Sequence, residues 1–159
     1  MFEVKDNFLD KNYFKEIKNF ILSEEFPWYY NDSISSQKDP KKFYYFTHTF
    51  YNQNTVNSGG YNIWKKFLEK INCKALIRIK ANLYNNINVK RKNKLHKDYP
   101  YSHKGCLLYL NSNNGETYFK NKKVITKENR VVFFDPSIPH SSSLCTDKER
   151  RITINFNYF

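Results

Sequence analysis

Residues 105–158 read GCLLYLNSNNGETYFKNKKVITKENRVVFFDPSIPHSSSLCTDKERRITINFNY. Short apolar or alternating runs recur there, split by Asn, Gly and Pro, the residues that favour turns over ladders. The pattern predicts strands over 105–111, 116–120, 123–126, 130–134, 139–145 and 151–158. The same reading extends upstream to strands over 94–99 and 75–84. So many short strands at close spacing specify a β-sandwich or barrel. Before residue 74 the period changes. Leu9, Tyr13, Phe14, Ile17, Phe20 and Ile21 recur at three- and four-residue spacing, which predicts a helix over 9–24 with Asp10 as its N-cap. A loop with Ser33, Ser35, Ser36 and Pro40 follows, then an aromatic strand over 43–51. Residues 61–71 predict a second amphipathic helix. The expected class is mainly β with N-terminal helices. We read one domain over 1–159, with 1–73 as helical support and substrate-side region and 74–159 as the β core.

The composition narrows the function without deciding it. The chain has 159 residues, and 18% of them are aromatic. No apolar run reaches the ~20 residues that span a bilayer, and the N-terminus lacks the basic and apolar regions of a secretory signal. A cytoplasmic location, in the host cell if the protein is viral, and no membrane partner are expected. Cys73, Cys106 and Cys145 are odd in number and widely spaced, so they are expected to be free thiols. The net charge of +12 has two readings: a polyanionic partner, or the Lys- and Asn-rich codons of an AT-rich genome. Lys90–Lys94, Lys97, Tyr99, Tyr101 and His103 form a basic, aromatic stretch that suits nucleic acid or an acidic peptide. Trp28, Tyr29 and Tyr30 are read as packing between the first helix and the sheet, with covering one side of the pocket as the alternative. His48 and His103 are read as surface or substrate-loop residues, with His103 near enough to a metal motif to line a pocket.

The chemistry concentrates in His96-Lys97-Asp98. On a strand, residues two apart share a face, so an imidazole and a carboxylate reach one ion. His140 follows Pro139 after a turn. Two His and one carboxylate form a facial triad that suits non-haem Fe(II) and leaves positions open. On the last predicted strand Arg151 and Thr153 face one way, and Ile152, Ile154 and Phe156 the other. A guanidinium inside a barrel needs an anion, and a carboxylate is its bidentate partner. A dicarboxylate chelating the metal at one end and held by Arg151 at the other accounts for both features. Arg150 competes for that role, since a one-residue slip exchanges the two.

These motifs, with Asn82-Leu83-Tyr84, Leu107-Leu108-Tyr109-Leu110-Asn111, Asn114-Gly115-Glu116-Thr117-Tyr118-Phe119 and Glu128–Phe134, resemble the 2-oxoglutarate/Fe(II)-dependent oxygenases. The resemblance covers nearly the whole chain. It is strongest to the small prolyl-4-hydroxylase-like branch found in phages and large viruses. It implies a double-stranded β-helix, a jelly-roll or cupin-like squashed barrel backed by two helices. It implies Fe(II) on His96, Asp98 and His140, with 2-oxoglutarate as cosubstrate on Arg151, helped by Thr153 and Tyr84. Asn82 and Tyr84 together match the N-x-Y of the alkylated-base demethylases, although Asn157 stands where those enzymes carry a second Arg. Prolyl hydroxylases usually place Lys at the position of Arg151, and Asn114 replaces the first Gly of their Gly-Gly-Glu-Thr turn. The implied reaction consumes O₂ and 2-oxoglutarate, with ascorbate as support, and hydroxylates a C–H bond. No catalytic side chain beyond the ligands is implied. The primary substrate is read as a protein or peptide side chain. The alternatives are a nucleobase or nucleotide, or a non-catalytic basic barrel that binds nucleic acid.

Overall fold

The computed structural model describes residues 2–32 and 44–159. The expected loop residues Ser33, Ser35, Ser36 and Pro40, and the first residue of the expected 43–51 strand, lie outside the described residues. In chain order the elements are β1 (Glu3–Lys5), α1 (Lys11–Ile21), β2 (Tyr29–Asn31), β3 (Tyr45–Asn52), β4 (Thr55–Val56), a 3₁₀ turn (Gly59–Trp64) and α2 (Lys65–Lys70). There follow β5 (Leu76–Asn85), β6 (Lys104–Tyr109), β7 (Glu116–Phe119), β8 (Lys122–Ile125), β9 (Val131–Phe134), β10 (Ser141–Ser142) and β11 (Arg150–Tyr158). Among the described residues no helix is long and apolar enough to cross a membrane.

The strands form two antiparallel sheets. The larger runs β1-β9-β6-β11-β5-β3-β2, with β4 attached to β3, and the smaller runs β10-β7-β8. Val124 of β8 packs with Leu107, Tyr109, Val132 and Phe134, so the small sheet covers one face of the large one. The helices cover the other. Phe14, Ile17 and Ile21 of α1, with Trp64 and Phe67, meet Ile79, Ala81, Leu108, Ile152, Ile154 and Phe156 in the main core. Phe67 stacks on Phe156 with centroids 4.1 Å apart. Burying each such large side chain contributes ~1.5–3 kcal/mol, which is what seats the helices. The three cysteines are free; Cys106 and Cys145 are buried.

Several sequence expectations need correction. The first helix is shorter than 9–24: Asp10 caps it through the Asn12 and Tyr13 amides, and it ends at Leu22. The second is broken. The Ser58 side chain accepts from Gly60 N–H and tightens residues 59–64 into a 3₁₀ turn before α2. Strands over 94–99 and 139–145 do not form as such. Only β10 and two isolated antiparallel bridges, Lys92 with Ser143 and His96 with His140, are present. Pro100, Pro136 and Pro139 lack the N–H that a continuous ladder needs, which limits pairing to short pieces. β1, β2 and β4 were not expected, because strands of two or three residues carry no periodic signal. Tyr29 and Tyr30 are exposed on β2 rather than packed in the core; they sit on an edge strand. His48 and His103 are buried rather than superficial. His48 Nδ1 donates to the Pro27 carbonyl at 2.7 Å, with its ring between Phe26 and Phe50.

Candidate functional site

The two central strands, β5 and β11, are buried on both faces. Their apolar residues, Ile79, Ala81, Leu83, Ile152, Ile154 and Phe156, face the helices. The alternate residues are polar and face the small sheet. Register pairs Arg151 with Tyr84, Thr153 with Asn82, Asn155 with Lys80, and Asn157 with Arg78. Seven of these eight side chains, all but Asn157, line one pocket with Tyr45, His96, Asp98, Leu107, Thr117 and His140. A polar stripe inside a β-sandwich is costly unless it is satisfied. Its presence here marks the face as a binding surface.

Backbone pairing brings the three expected metal ligands together. His96 N–H donates to the His140 carbonyl at 2.9 Å, and His140 N–H returns a bond of 3.0 Å to the His96 carbonyl. Residues exchanging both bonds lie directly opposite, with side chains on the same face. The imidazoles accordingly lie 4.5 Å apart, centroid to centroid. Two residues on, Asp98 N–H donates to the Pro136 carbonyl at 3.0 Å, which turns its carboxylate inward. One donor atom from each of His96, Asp98 and His140 lies within 4.8 Å of the others. The shared face was expected from a regular strand; here the two bridges and the Asp98–Pro136 bond achieve it.

The electrostatics suit a cation. His140 Nδ1 donates to the Ile138 carbonyl at 2.9 Å, so the lone pair rests on Nε2. Burial, then the neighbouring His140, lower the basicity of His96 and favour its neutral, ligating form. Burial alone would raise the Asp98 carboxyl. The Arg78 guanidinium, the histidines and the Asn155 amide outweigh it and hold Asp98 at about 2. Arg78 Nη2 lies 3.1 Å from Asp98 Oδ1, and Asn155 Nδ2 donates to Oδ2 at 2.9 Å. Two imidazoles and one carboxylate fit a divalent first-row metal, because soft thiolates are absent from the set and the donors converge.

Arg151 occupies the other end of the pocket. It is 1% exposed, whereas Arg150 is on the surface. Register therefore puts Arg151 in the cavity and Arg150 outside it. Its Nε donates to Thr126 Oγ1 and its Nη2 to Thr117 Oγ1, both at 2.8 Å. The guanidinium lies 5.6 Å from the Tyr84 ring centroid and 5.5 Å from that of Tyr109. Tyr84 in turn stacks on Tyr45 at 5.5 Å. Among the described residues no carboxylate pairs with Arg151. A buried cation without an anion is expensive, so the site calls for an anionic ligand. Gly115 makes room for this arm: a Cβ there would lie 2.6 Å from Arg151 Cδ and 2.8 Å from Asn113 Oδ1. Gly115→Ala is expected to destabilise the fold by ~1–3 kcal/mol through overpacking. Denaturant melts of the two proteins check this.

Sequence reading missed Arg78, Lys80, Tyr45, Thr117 and Asn155. The signal for the β5 residues was present, since Arg78-Ile79-Lys80-Ala81-Asn82-Leu83-Tyr84 alternates polar with apolar. Lys80 forms no ion pair among the described residues. Burial, then Arg78, lower its ammonium to about 8 against the pull of Asp98. His103, expected as a possible pocket residue, is not part of the lining. Its ring is buried behind it against Asn157.

No family model matches the sequence, and no curated protein matches it either. Solved structures do. An oxidoreductase of the 2OG-Fe(II) oxygenase family from Burkholderia pseudomallei is 10% identical with a TM-score of 0.72, covering 99% of this chain and 84% of that one. A prolyl hydroxylase from Trichoplax adhaerens, solved with a hypoxia inducible factor oxygen degradation domain peptide fragment, is 14% identical with a TM-score of 0.70 over 99% and 83%. A Pseudomonas putida prolyl-4-hydroxylase is 9% identical with a TM-score of 0.61 over 99% and 92%. The fold is the double-stranded β-helix. Its solved neighbours include 2-oxoglutarate/Fe(II) oxygenases, two of them prolyl hydroxylases.

Proposed function

We propose that this protein is an Fe(II)- and 2-oxoglutarate-dependent dioxygenase that hydroxylates a C–H bond on a protein or peptide side chain. One observation carries the reading. The pocket holds a His-Asp-His cluster at one end and a buried guanidinium without an anionic partner at the other, joined by the polar face of β5 and β11. His96, Asp98 and His140 would hold the iron, and Arg151 would take the distal carboxylate of 2-oxoglutarate. When bound, these groups supply the oxidation: O₂, 2-oxoglutarate and R–H give succinate, CO₂ and R–OH.

The chain's own residues position and shield. Arg78 and Asn155 fix the Asp98 carboxylate, and the Ile138 carbonyl fixes the His140 tautomer. Thr117 and Thr126 aim the Arg151 fork. Thr153, Asn82 and Tyr84 line the stretch between and offer hydroxyl and amide groups to the cosubstrate. Leu107 adds an apolar side chain to the lining.

The peptide reading is supported by the prolyl hydroxylases among the structural neighbours, one solved with a peptide. A nucleobase or nucleotide substrate draws support from the charge of +12 and from Lys92, whose ammonium lies 4.4 Å from the Tyr118 ring centroid.

Purified protein given Fe(II), ascorbate and 2-oxoglutarate is expected to release succinate slowly without any primary substrate. Succinate no higher than in a protein-free control overturns the assignment. With turnover established, stimulation by an acidic peptide library against single-stranded oligonucleotides separates the two substrate classes.

A further inference from the structure

Asp98 is one end of a hydrogen-bonded chain that leaves the pocket through the protein interior. Asn155 Nδ2 donates to Asp98 Oδ2 at 2.9 Å, and Asn157 Nδ2 donates to Asn155 Oδ1 at 3.0 Å. Asn157 Oδ1 lies 2.7 Å from His103 Nε2, and His103 Nδ1 lies 2.9 Å from the Tyr101 carbonyl oxygen. Asn155, Asn157 and His103 are all buried. Buried polar groups are satisfied by partners, so each donor in this chain meets an acceptor.

The direction of every bond follows from the carboxylate. As the ion-pair partner of Arg78, Asp98 is ionised and only accepts. Asn155 must therefore turn its NH₂ towards Asp98 and its carbonyl oxygen towards Asn157. Asn157 must then turn its NH₂ towards Asn155 and its oxygen towards His103. That oxygen accepts, so His103 Nε2 carries a hydrogen. The Tyr101 carbonyl also only accepts, so Nδ1 carries one too. A neutral imidazole has a single N–H. It would press a lone pair against an oxygen at 2.7 or 2.9 Å.

We propose that His103 is held as an imidazolium and is a positioning residue for Asp98, fixing Oδ2 through Asn157 and Asn155 so that Oδ1 is presented beside His96 and His140. The positioning role rests on reading Asp98 as a metal ligand; the protonation state does not. The surroundings suit a cation. Tyr99 and Tyr101 lie 5.4 and 5.5 Å from the His103 ring, and Phe159 at 6.4 Å encloses it further. The Asp135 carboxylate accepts from the His103 backbone. Lys104, the next residue, is exposed. Partners behind a metal ligand govern its orientation and typically alter metal affinity ~10–100-fold when removed.

The test uses the full chain, ¹⁵N-labelled at histidine, without added metal at pH 7. Long-range ¹⁵N–¹H correlation is expected to show two protonated ring nitrogens for one histidine, a signal that disappears in His103→Gln. A His103 signal with one unprotonated nitrogen overturns the imidazolium. Mn(II) titration then tests the positioning. His103→Leu and Asn157→Leu, checked for native circular dichroism, should each weaken Mn(II) binding ~10–100-fold. His103→Gln, which still donates to Asn157, should recover part of the loss. Wild-type Mn(II) affinity in folded His103→Leu overturns the positioning role. If wild-type protein itself binds no Mn(II), the reading of Asp98 as a ligand fails, and the NMR result still decides the charge on His103.

Discussion

His96→Ala is expected to abolish Fe(II) binding and succinate release while leaving the melting temperature close to that of the wild type. The His96 side chain is 38% exposed and anchors no core cluster, so its loss leaves no large buried cavity. The backbone bridge to His140 survives, because both of its bonds are made by peptide groups. What disappears is one of three donor atoms. Removing a group behind a ligand already costs ~10–100-fold in affinity, and deleting the ligand itself should exceed that. Asp98→Ala is the less discriminating variant. It also strips Arg78 of its carboxylate, and breaking a buried pair from one side costs ~3–5 kcal/mol. Fe(II) titration and a succinate assay, run beside a thermal melt, separate these effects. Full turnover in folded His96→Ala removes that residue from the iron.

Arg151→Met is expected to raise the 2-oxoglutarate concentration needed for half-maximal turnover by ~10–100-fold, with a smaller change at saturation. Charge-assisted hydrogen bonds contribute ~1.5–3 kcal/mol, and the guanidinium fork offers more than one. Methionine keeps an unbranched apolar arm and removes the guanidinium that lies over Tyr84 and Tyr109, so the variant tests mainly the charge. The ligand-free melting temperature should change little. Relief from an unpaired buried cation offsets the lost bonds to Thr117 and Thr126. Cosubstrate kinetics check the first part and a melt the second. A wild-type response to 2-oxoglutarate in Arg151→Met assigns the carboxylate elsewhere.

The strands with a strong local signature were legible in the sequence. Arg151-Ile152-Thr153-Ile154-Asn155-Phe156 alternates, and the structure seats its two sets of side chains on opposite faces as that alternation requires. His96, Asp98 and His140 were singled out by the His-x-Asp spacing and the histidine after Pro139, and the structure brings one donor atom of each within 4.8 Å of the others. Their backbone setting was not legible. A regular strand was the simplest way to align His96 with Asp98, but proline interrupts the pairing, and two isolated bridges take its place. Nor could the sequence reveal the burial of His103, whose partner Asn157 lies 54 residues away. Alternation with Thr153 favoured Arg151 over Arg150, and the ladder with Asn85 and Tyr84 fixed the register that a one-residue slip would have exchanged.

The bridge between His96 and His140 sits outside the long ladders of β5 and β11, in a clasp closed by a handful of backbone hydrogen bonds. Such a segment can open with far less free energy than the sheet behind it. Opening of the cluster is thus a local event. Under the proposed function, an ion held there would come and go as a door swings on its frame, while the wall that carries Arg151 stays standing.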